Sequence, residues 1–327
     1  MKRALKIYRH TWPMAEPFTI ARGTQTHAEV VVAELAAGAH VGRGEAVGVS
    51  YHGETPDALL AQIERVRDAI EAGADRQDLL KLLPAGGARN AVDGALWDLE
   101  AKLTGVPAWR RAGLASGGPV TSCITIGIRP LEAYEKAAAT LADHPWIKVK
   151  VDRTDPLAAV QAVRRGAPKP KLVVDANQSW SVEEVKSFGP QMADLGVALL
   201  EQPMAQGPDD ALLGVHCPVP ICADESISTV DDLPRLAGRY QFINIKLDKT
   251  GGLTHALELA RAAQKAGLRL MSGCMVGGSV AMAPAMVLAQ LCEINDLDGP
   301  VLQAADWPGG IVYTRGVMSP PWPQFWG

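Results

Sequence analysis

Short apolar runs recur along the chain from about residue 120 to residue 300, and most are separated by segments with helical periodicity. They begin near residues 120, 147, 172, 198, 220, 242, 269 and 293, at intervals of 22 to 27 residues. This interval is typical of one β/α unit, and strands that are apolar throughout suit a parallel sheet covered on both faces. The pattern therefore predicts a closed parallel barrel. The alternative is an open doubly wound sheet, but no glycine-rich GxGxxG loop follows a strand.

The first hundred or so residues have a different pattern. Alternation predicts antiparallel strands over residues 1–47, followed by a helix that Thr55 caps and Pro56 begins and that stops near Gly73. A second helix is predicted over residues 88–105. We predict an α+β domain at residues 1–115 and a barrel at residues 116–302. The tail at residues 303–327, rich in Trp and Pro, is predicted to pack on the first domain.

Composition places the chain among globular proteins. The 327 residues are 47% hydrophobic and 21% charged, with a net charge of −4 and no long run of like charge. This argues against binding to nucleic acid or to an acidic membrane surface. The chain shows neither a signal peptide nor an 18-residue apolar stretch, and its five cysteines form no CxxC pair. We therefore expect reduced thiols and a cytoplasmic location; the sequence allows a homo-oligomer without requiring one.

Acidic residues end three successive apolar runs. Asp175 ends KLVVD, Glu201 ends VALLE, and Asp224 follows ICA, with gaps of 26 and 23 residues. Each gap is one β/α unit, so the three carboxylates should meet at the C-terminal mouth of the barrel, where barrel active sites lie. Any one of them alone could be a helix cap. Three together would repel one another unless a cation bridged them, and all-oxygen ligands suit one Mg²⁺ ion.

Lysines lie on both sides of this predicted metal site. Lys148 and Lys150 alternate on the strand before Asp175, so both point to one face, and Lys246 ends the strand after Asp224. A substrate held by the metal would present opposite faces to Lys150 and Lys246. Proton removal next to a carboxylate creates an enediolate, which a metal and ammonium groups stabilise. We expect the lysine pKa to be lowered to about 7–8, suitable for a base. One base on each face predicts racemisation or epimerisation.

These motifs resemble those of the enolase superfamily, muconate-lactonizing subgroup. The resemblance rests on IKVK, on the acids in VVDAN, LLEQP and CADES, and on NIKLDKTGG, and it covers essentially the whole chain. Within the subgroup the chain is most similar to the dipeptide epimerases that act on L-Ala-D/L-Glu. ARGT at residues 21–24, GCM at residues 273–275 and DLDGP at residues 296–300 carry that finer likeness.

The resemblance implies an α/β fold, a modified TIM barrel of the (β/α)7β type with an N-terminal α+β capping domain. It implies Mg²⁺ bound by Asp175, Glu201 and Asp224, and an acid/base pair of Lys150 and Lys246. Lys148 would contact the metal-bound carboxylate of the substrate. The first barrel strand departs from the family pattern, because Cys123 stands where relatives commonly have Thr. Thr125 shares its face, so Cys123 and Thr125 are both candidate substrate contacts, and the polar contact of the relatives has either moved or been lost.

Further residues point to the substrate. Arg22, in a predicted loop over the mouth, is either an exposed arginine or a clamp for a second carboxylate. Asp296 and Asp298 either form a turn or face inward and bind an ammonium group. Small residues around Cys274 leave space for a short side chain. Together these residues predict a dipeptide, L-Ala-D/L-Glu, epimerised at its C-terminal residue, as in peptidoglycan recycling.

Other functions are weighed against this one. Within the superfamily, o-succinylbenzoate synthase and muconate cycloisomerase need no acidic pair for a substrate amine, and neither does an N-acylamino acid racemase. Outside it, a class I aldolase also has a lysine at a strand end, as a Schiff-base nucleophile, but requires no three metal-spaced carboxylates. A binding protein without activity on the same barrel is the third alternative, and the retained acid–base residues argue against it.

Overall fold

The computed structural model describes residues 2–21 and 23–327. The chain begins with a three-stranded antiparallel sheet whose strands are β1 (Ala4–Ile20), β2 (Gly23–Ala37) and β3 (His40–Ala46). The pairing of β1 with β2 shifts register between Pro13 and Phe18, and pairing then continues to Ile20. A register shift of this kind is typical of a β-bulge.

Five helices complete this first part of the chain: α1 (Pro56–Arg65), α2 (Arg67–Ala72), α3 (Arg76–Leu82), α4 (Gly87–Thr104) and α5 (Ala108–Arg111). The Thr55 hydroxyl caps α1 by accepting the Ala58 amide at 3.2 Å, and α2 ends at Gly73 in a left-handed conformation. The predicted boundaries of the first helix are therefore confirmed, with a break between α1 and α2. Helix α4 is buried over most of its length because it packs between the antiparallel sheet and the rest of the chain.

Eight parallel strands form the second sheet, in the order of the chain. They are β5 (Ile124–Ile126), β6 (Trp146–Lys150), β7 (Lys171–Asp175), β8 (Val197–Glu201), β9 (Ile221–Ala223), β10 (Phe242–Lys246), β11 (Arg269–Gly273) and β12 (Ile294–Asp296). The amide of Cys123 donates to the carbonyl of Asn295 at 2.7 Å and so joins the first strand to the last. The predicted (β/α)7β barrel with an N-terminal α+β domain is confirmed.

The connections between barrel strands are mostly helical. The α-helices are α6 (Leu131–Thr140), α7 (Pro156–Gly166), α8 (Val182–Asp194), α9 (Leu233–Leu236), α10 (Leu247–Thr250), α11 (Leu253–Lys265) and α12 (Ser279–Ala289). Short 3-10 helices lie at Ser50–His52, Pro208–Leu212, Val230–Asp232 and Gly299–Leu302. The outward faces of the barrel strands pack against these helices, which gives the main apolar core of the molecule.

The first barrel strand differs from its predicted position. Residues near 120 form a separate two-residue strand, β4 (Val120–Thr121), and the barrel strand begins at Ile124. Strand β4 pairs antiparallel with β14 (Val317–Met318), which in turn pairs with β13 (Tyr313–Thr314). The apolar character of Val120 is thus explained by packing against the distant C-terminal tail, which local periodicity does not reveal.

The C-terminal tail also contacts the antiparallel sheet and its helices. The indole of Trp326 donates to the Arg43 carbonyl at 2.9 Å, and the amide of Gly327 donates to Asp98 at 2.9 Å. Buried Glu45 accepts the indoles of Trp12, at 3.1 Å, and Trp307, at 2.6 Å. The tail therefore joins the N-terminal sheet to the barrel.

Two contacts hold the N-terminal part over the C-terminal end of the barrel strands. The Asp248 carboxylate, just after β10, accepts the amides of Val47 at 2.9 Å and Gly48 at 3.0 Å. On the opposite side, the Ile128 amide, just after β5, donates to the Thr19 carbonyl at 2.8 Å. The mouth of the barrel is therefore covered from both sides by the antiparallel sheet and its loops. In residues 2–21 and 23–327 no helix has the length and apolarity to cross a membrane.

Candidate active site

Three carboxylates lie at or just beyond the ends of three successive barrel strands. Asp175 pairs in register with Glu201, and Glu201 pairs with Cys222, two residues before Asp224. Because side chains alternate along a strand, Asp224 points to the same interior face as the other two. None of the three is more than 1% exposed. The barrel therefore brings the three predicted acids together in its interior, at the mouth.

Lysine ammonium groups surround these acids. The Lys150 nitrogen lies 2.5 Å from Asp175, and the Lys246 nitrogen lies 2.7 Å from Asp224. Lys148 is in the centre: its nitrogen is 2.7 Å from Glu201 and 3.1 Å from Asp175. Since Lys150 contacts the first acid and Lys246 the last, the two lysines stand at opposite ends of the carboxylate row.

The surroundings move the pKa values of the acids in different directions. Burial raises the pKa of Glu201 to about 7, and the charge of Asp175 adds to this rise while Lys148 opposes it. Burial acts the same way on Asp175, but the ammonium groups of Lys150 and Lys148 outweigh it and hold its pKa at about 2. The pKa of Asp224 is likewise held well below its usual range, since Lys246 and other ammonium groups outweigh its burial. The outer acids are thus carboxylates at neutral pH.

The lowering of the lysine pKa was expected for a site with bound Mg²⁺ and stays a prediction; with Asp224 as its partner, the pKa of Lys246 is raised. Burial lowers the pKa of the Lys246 ammonium, but the Asp224 carboxylate outweighs burial and raises it above the ordinary value. The pKa of Lys148 is also raised, because the nearby carboxylates of Asp296, Glu201 and Asp175 outweigh its burial. The expected lowering was based on repulsion of the ammonium charge by a cation and by a second lysine. The close carboxylate partners act in the opposite direction.

Asp296 and Asp298 face the interior. Asp296 ends β12 and accepts the Lys148 ammonium at 2.7 Å, while Asp298 accepts the Thr125 amide at 2.6 Å. The Thr125 hydroxyl donates to Asp296 at 3.3 Å. Burial, together with the charge of Asp296, raises the pKa of Asp298 to about 7. Asp296 and Asp298 therefore form a buried acidic site beside the three carboxylates, and Thr125 contacts both members of the pair.

The remaining predicted residues lie in different surroundings. Burial and the charges of Asp296 and Asp298 raise the pKa of the Cys274 thiol, which places it beside the acidic pair. Cys123 is completely buried in the apolar layer inside the barrel, with Val173 and other residues of its cluster, two residues before Thr125 on the same strand face. A contact between Cys123 and substrate remains a prediction. Arg22 lies outside the described residues.

Two residues of the site were missed by the sequence reasoning. Asn244 is fully buried and donates its side-chain amide to Glu201 at 2.8 Å. Lys249 is buried in α10, and its ammonium lies 2.6 Å from the Asp224 carboxylate. The sequence contained a signal for both: Asn244 shares a strand face with Lys246, and Lys249 is one helical turn further along.

The donor set fits a hard divalent cation. It consists of three carboxylates without His or Cys, the ligands that Mg²⁺ prefers. One oxygen of Glu201, Oε2, is buried and makes no hydrogen bond of good geometry, although the Lys148 ammonium lies 2.7 Å away. Among the described residues no three His, Cys, Asp or Glu side chains already form a metal cage. In this structure, lysine ammonium groups engage the three carboxylates instead.

Fold and site together define a barrel enzyme whose mouth holds buried lysines paired with buried acids. The chain belongs to the enolase superfamily, in the mandelate racemase and muconate lactonizing group. The N-terminal domain of mandelate racemase and muconate lactonizing enzyme matches residues 2–113, and the enolase C-terminal domain-like family matches residues 132–310. The superfamily resemblance seen in the motifs is therefore confirmed.

Two characterised relatives are similar over most of the chain. The L-Ala-D/L-Glu epimerase of Escherichia coli is 41% identical over 318 residues, which are 97% of this chain and 99% of the relative. The N-acetyl-D-glutamate racemase of a Pseudoalteromonas species is 44% identical over 252 residues, 76% of this chain and 79% of the relative. Both are isomerases that act on amino acid derivatives.

Solved structures show the same fold. An enolase family member from Agrobacterium tumefaciens, described with bound sodium and L-Ala-L-Glu, superposes with a TM-score of 0.97 at 40% identity, covering 99% of this chain and 100% of the other. The dipeptide epimerase of Enterococcus faecalis, complexed with Mg and L-Leu-L-Tyr, gives a TM-score of 0.91 at 27% identity, covering 98% and 97%.

Proposed function

We propose that the protein epimerises dipeptides, with L-Ala-D-Glu and L-Ala-L-Glu as its substrate pair, at the α-carbon of the C-terminal residue. The observation that carries the proposal is the pair of buried lysines, Lys150 and Lys246, at opposite ends of the carboxylate row. One lysine removes the α-proton from one face, and the other returns a proton to the opposite face. The similarity to L-Ala-D/L-Glu epimerase supports the same reaction.

Asp175, Glu201 and Asp224 would hold Mg²⁺. When bound, the ion supplies Lewis-acid stabilisation of the negative charge that develops on the substrate carboxylate. Lys148, in ion-pair distance of Glu201, Asp175 and Asp296, is placed to hold a positive charge at the centre of the site. Its burial excludes water, which strengthens its attraction for a developing anion. Lys148 therefore acts as an electrostatic stabiliser in this proposal.

The acidic pair supports recognition of a free amine. Asp296 and Asp298 are 6% and 3% exposed, and an ammonium group would compensate their charge. Arg22, in the sequence between β1 and β2, would bind the side-chain carboxylate of glutamate. Thr19, close to it in sequence, contacts the barrel loop at Ile128 on the rim of the mouth. The substrate therefore carries an amine, a reacting carboxylate and a second carboxylate.

N-acylamino acid racemisation is the second candidate, favoured by the 44% identity to N-acetyl-D-glutamate racemase. Such a substrate has no free amine for the acidic pair. Kinetic parameters on L-Ala-L-Glu and on N-acetyl-L-glutamate distinguish the two functions. We expect the dipeptide to have the larger kcat/KM by at least about tenfold, the worth of one good charge-assisted contact. The reverse ranking would establish the racemase.

The proton-transfer roles are tested by exchange in D₂O. Lys150→Ala and Lys246→Ala should each abolish epimerisation when the α-proton signal of each epimer is followed by NMR. Lys150→Arg and Lys246→Arg should retain exchange from one epimer each, with opposite preferences. Lys171→Ala is the matched control, because Lys171 begins β7 at the far end of the barrel and is exposed. Equal exchange of the same epimer by both arginine variants would indicate a single base.

We also propose that this reaction serves peptidoglycan recycling in the cytoplasm, since L-Ala-Glu is a fragment of peptidoglycan peptides. The five cysteines are all free thiols, which is consistent with a reducing compartment. A panel of L-Ala-X dipeptides tests the assignment: glutamate should be preferred over leucine, and equal rates would refute the arginine clamp.

A further inference from the structure

Gln202 directly follows Glu201 and is completely buried, although its side chain is polar. Its φ of 31° lies in the left-handed region, which residues other than glycine seldom adopt. Strain of this kind persists where the surrounding structure determines the conformation. The contacts of Gln202 show what that conformation achieves.

Gln202 touches the loops that follow all three acidic strands. Its carbonyl accepts the amide of Gln178, three residues after Asp175, at 2.8 Å. Gln202 is joined to Glu201 by the peptide bond, and its side-chain oxygen accepts the backbone amide of Asp224 at 2.7 Å. One residue thus links the backbone beside each member of the carboxylate row.

A network of hydrogen-bonded side chains holds the Gln202 side chain in place. The Gln202 amino group donates to the Met204 carbonyl at 2.7 Å and to the Ser226 hydroxyl at 2.8 Å, with a longer contact of 3.2 Å to the Tyr240 hydroxyl. Tyr240 donates to the Asp209 carboxylate at 2.7 Å, and Arg235 donates to the same carboxylate at 2.9 Å. Since both ends of the Gln202 amide are satisfied, its orientation is determined by the network.

We propose that Gln202 is a positioning residue that fixes the relative placement of Asp175, Glu201 and Asp224 before a cation binds. The inference rests on the proposed metal site. If the three carboxylates were not held in place beforehand, the ion would have to order them on binding, and its affinity would be lower. Residues that orient metal ligands typically contribute a factor of about 10–100 in metal affinity or activity. Gln202 acts on the backbone of the ligands and touches neither substrate nor cation.

The test is Mg²⁺ binding by isothermal titration calorimetry on the full-length protein. Gln202→Met keeps the length and removes both polar ends, and Gln202→Asn keeps the amide but withdraws it by one methylene from the Asp224 amide. Asparagine also tolerates a positive φ. Both variants should bind Mg²⁺ about 10–100-fold more weakly. Epimerase kcat should return toward the wild-type value at saturating Mg²⁺, because the ion then orders the ligands.

Tyr240→Phe is the matched control. It removes a buried hydroxyl of the same network, so it should lower the unfolding temperature, but it leaves the bond from Gln202 to Asp224 intact and should keep Mg²⁺ affinity within about twofold. If a folded Gln202 variant binds Mg²⁺ as tightly as the wild type, or if Tyr240→Phe weakens binding equally, Gln202 has only a structural role. Failure of the wild type itself to bind Mg²⁺ would instead refute the proposed function.

Discussion

Gly273 is predicted to contribute to stability and to Mg²⁺ affinity because its missing side chain makes room for Asn244. A Cβ atom at residue 273 would lie 2.4 Å from Oδ1 of Asn244 and 2.7 Å from Nδ2. The Asn244 side chain is enclosed, and its amide donates to Glu201. The backbone at Gly273 is not left-handed, so any effect of Gly273→Ala is steric. The added methyl group must therefore displace either Asn244 or strand β11.

The expected loss of stability follows from these two ways of accommodating the methyl group. Displacing Asn244 leaves a buried amide and a carboxylate oxygen without partners, at a cost of about 1–3 kcal/mol. If strand β11 moves instead, the barrel interior is overpacked, and overpacking also costs about 1–3 kcal/mol. An unfolding entropy of about 2 cal/mol/K per residue gives roughly 0.7 kcal/mol/K for this chain, so a loss of about 1–3 kcal/mol lowers Tm by about 1–4 °C. Because Glu201 loses its partner, Mg²⁺ affinity should fall about tenfold.

The assay is a double-mutant cycle measured by thermal unfolding and by Mg²⁺ titration. Gly273→Ala and Asn244→Ala should each be destabilising. The double variant should be close to Asn244→Ala alone, because the added methyl group then meets no amide. Gly118→Ala is the control, since its Cβ would meet only the flexible Ser116 hydroxyl at 3.2 Å. Additive losses in the double variant would show that Gly273 does not act through Asn244.

Three further outcomes are expected. Exhaustive chelation should abolish epimerase activity and Mg²⁺ should restore it, and Asp224→Asn should lose most activity at every Mg²⁺ concentration; full activity in metal-free protein, checked by elemental analysis, would refute the metal site. Asp298→Asn should raise KM for free-amine dipeptides and spare N-acetylglutamate, whereas an equal effect on both would remove the acidic pair from amine recognition. Asp209→Asn should lower stability at neutral pH. Hydrogen bonds from Ser226 and Tyr240, with the Arg235 charge, outweigh burial and hold the Asp209 pKa below its usual range. The carboxylate therefore stabilises the fold above its unfolded pKa of about 4, and this contribution is lost as pH falls through the folded pKa. Denaturant unfolding at pH 7 and pH 3.5 should show the gap to the wild type narrowing at low pH; a constant gap would contradict the argument.

The tertiary structure decided the contacts between distant parts of the chain. Val120 pairs with Met318 of the tail, which moves the first barrel strand to Ile124. Asn244 reaches Glu201 because residue 273 lacks a side chain. None of these pairs shares a local pattern, because their separation along the chain far exceeds one strand or helix. The direction of the Lys246 pKa likewise depends on a distance to Asp224 that no spacing encodes.

The amino-acid sequence alone determined the barrel and the composition of its mouth. Each β/α unit buries a short apolar strand, so burial repeats at a regular interval that can be read without a structure. Charged residues at the end of each run mark one level of a parallel sheet, which places Asp175 and Glu201 side by side, as their register shows. Alternation along β6 likewise aims Lys148 and Lys150 at one face. Local periodicity therefore determines which side chains share the mouth, and long-range packing determines which of them touch and how they are charged.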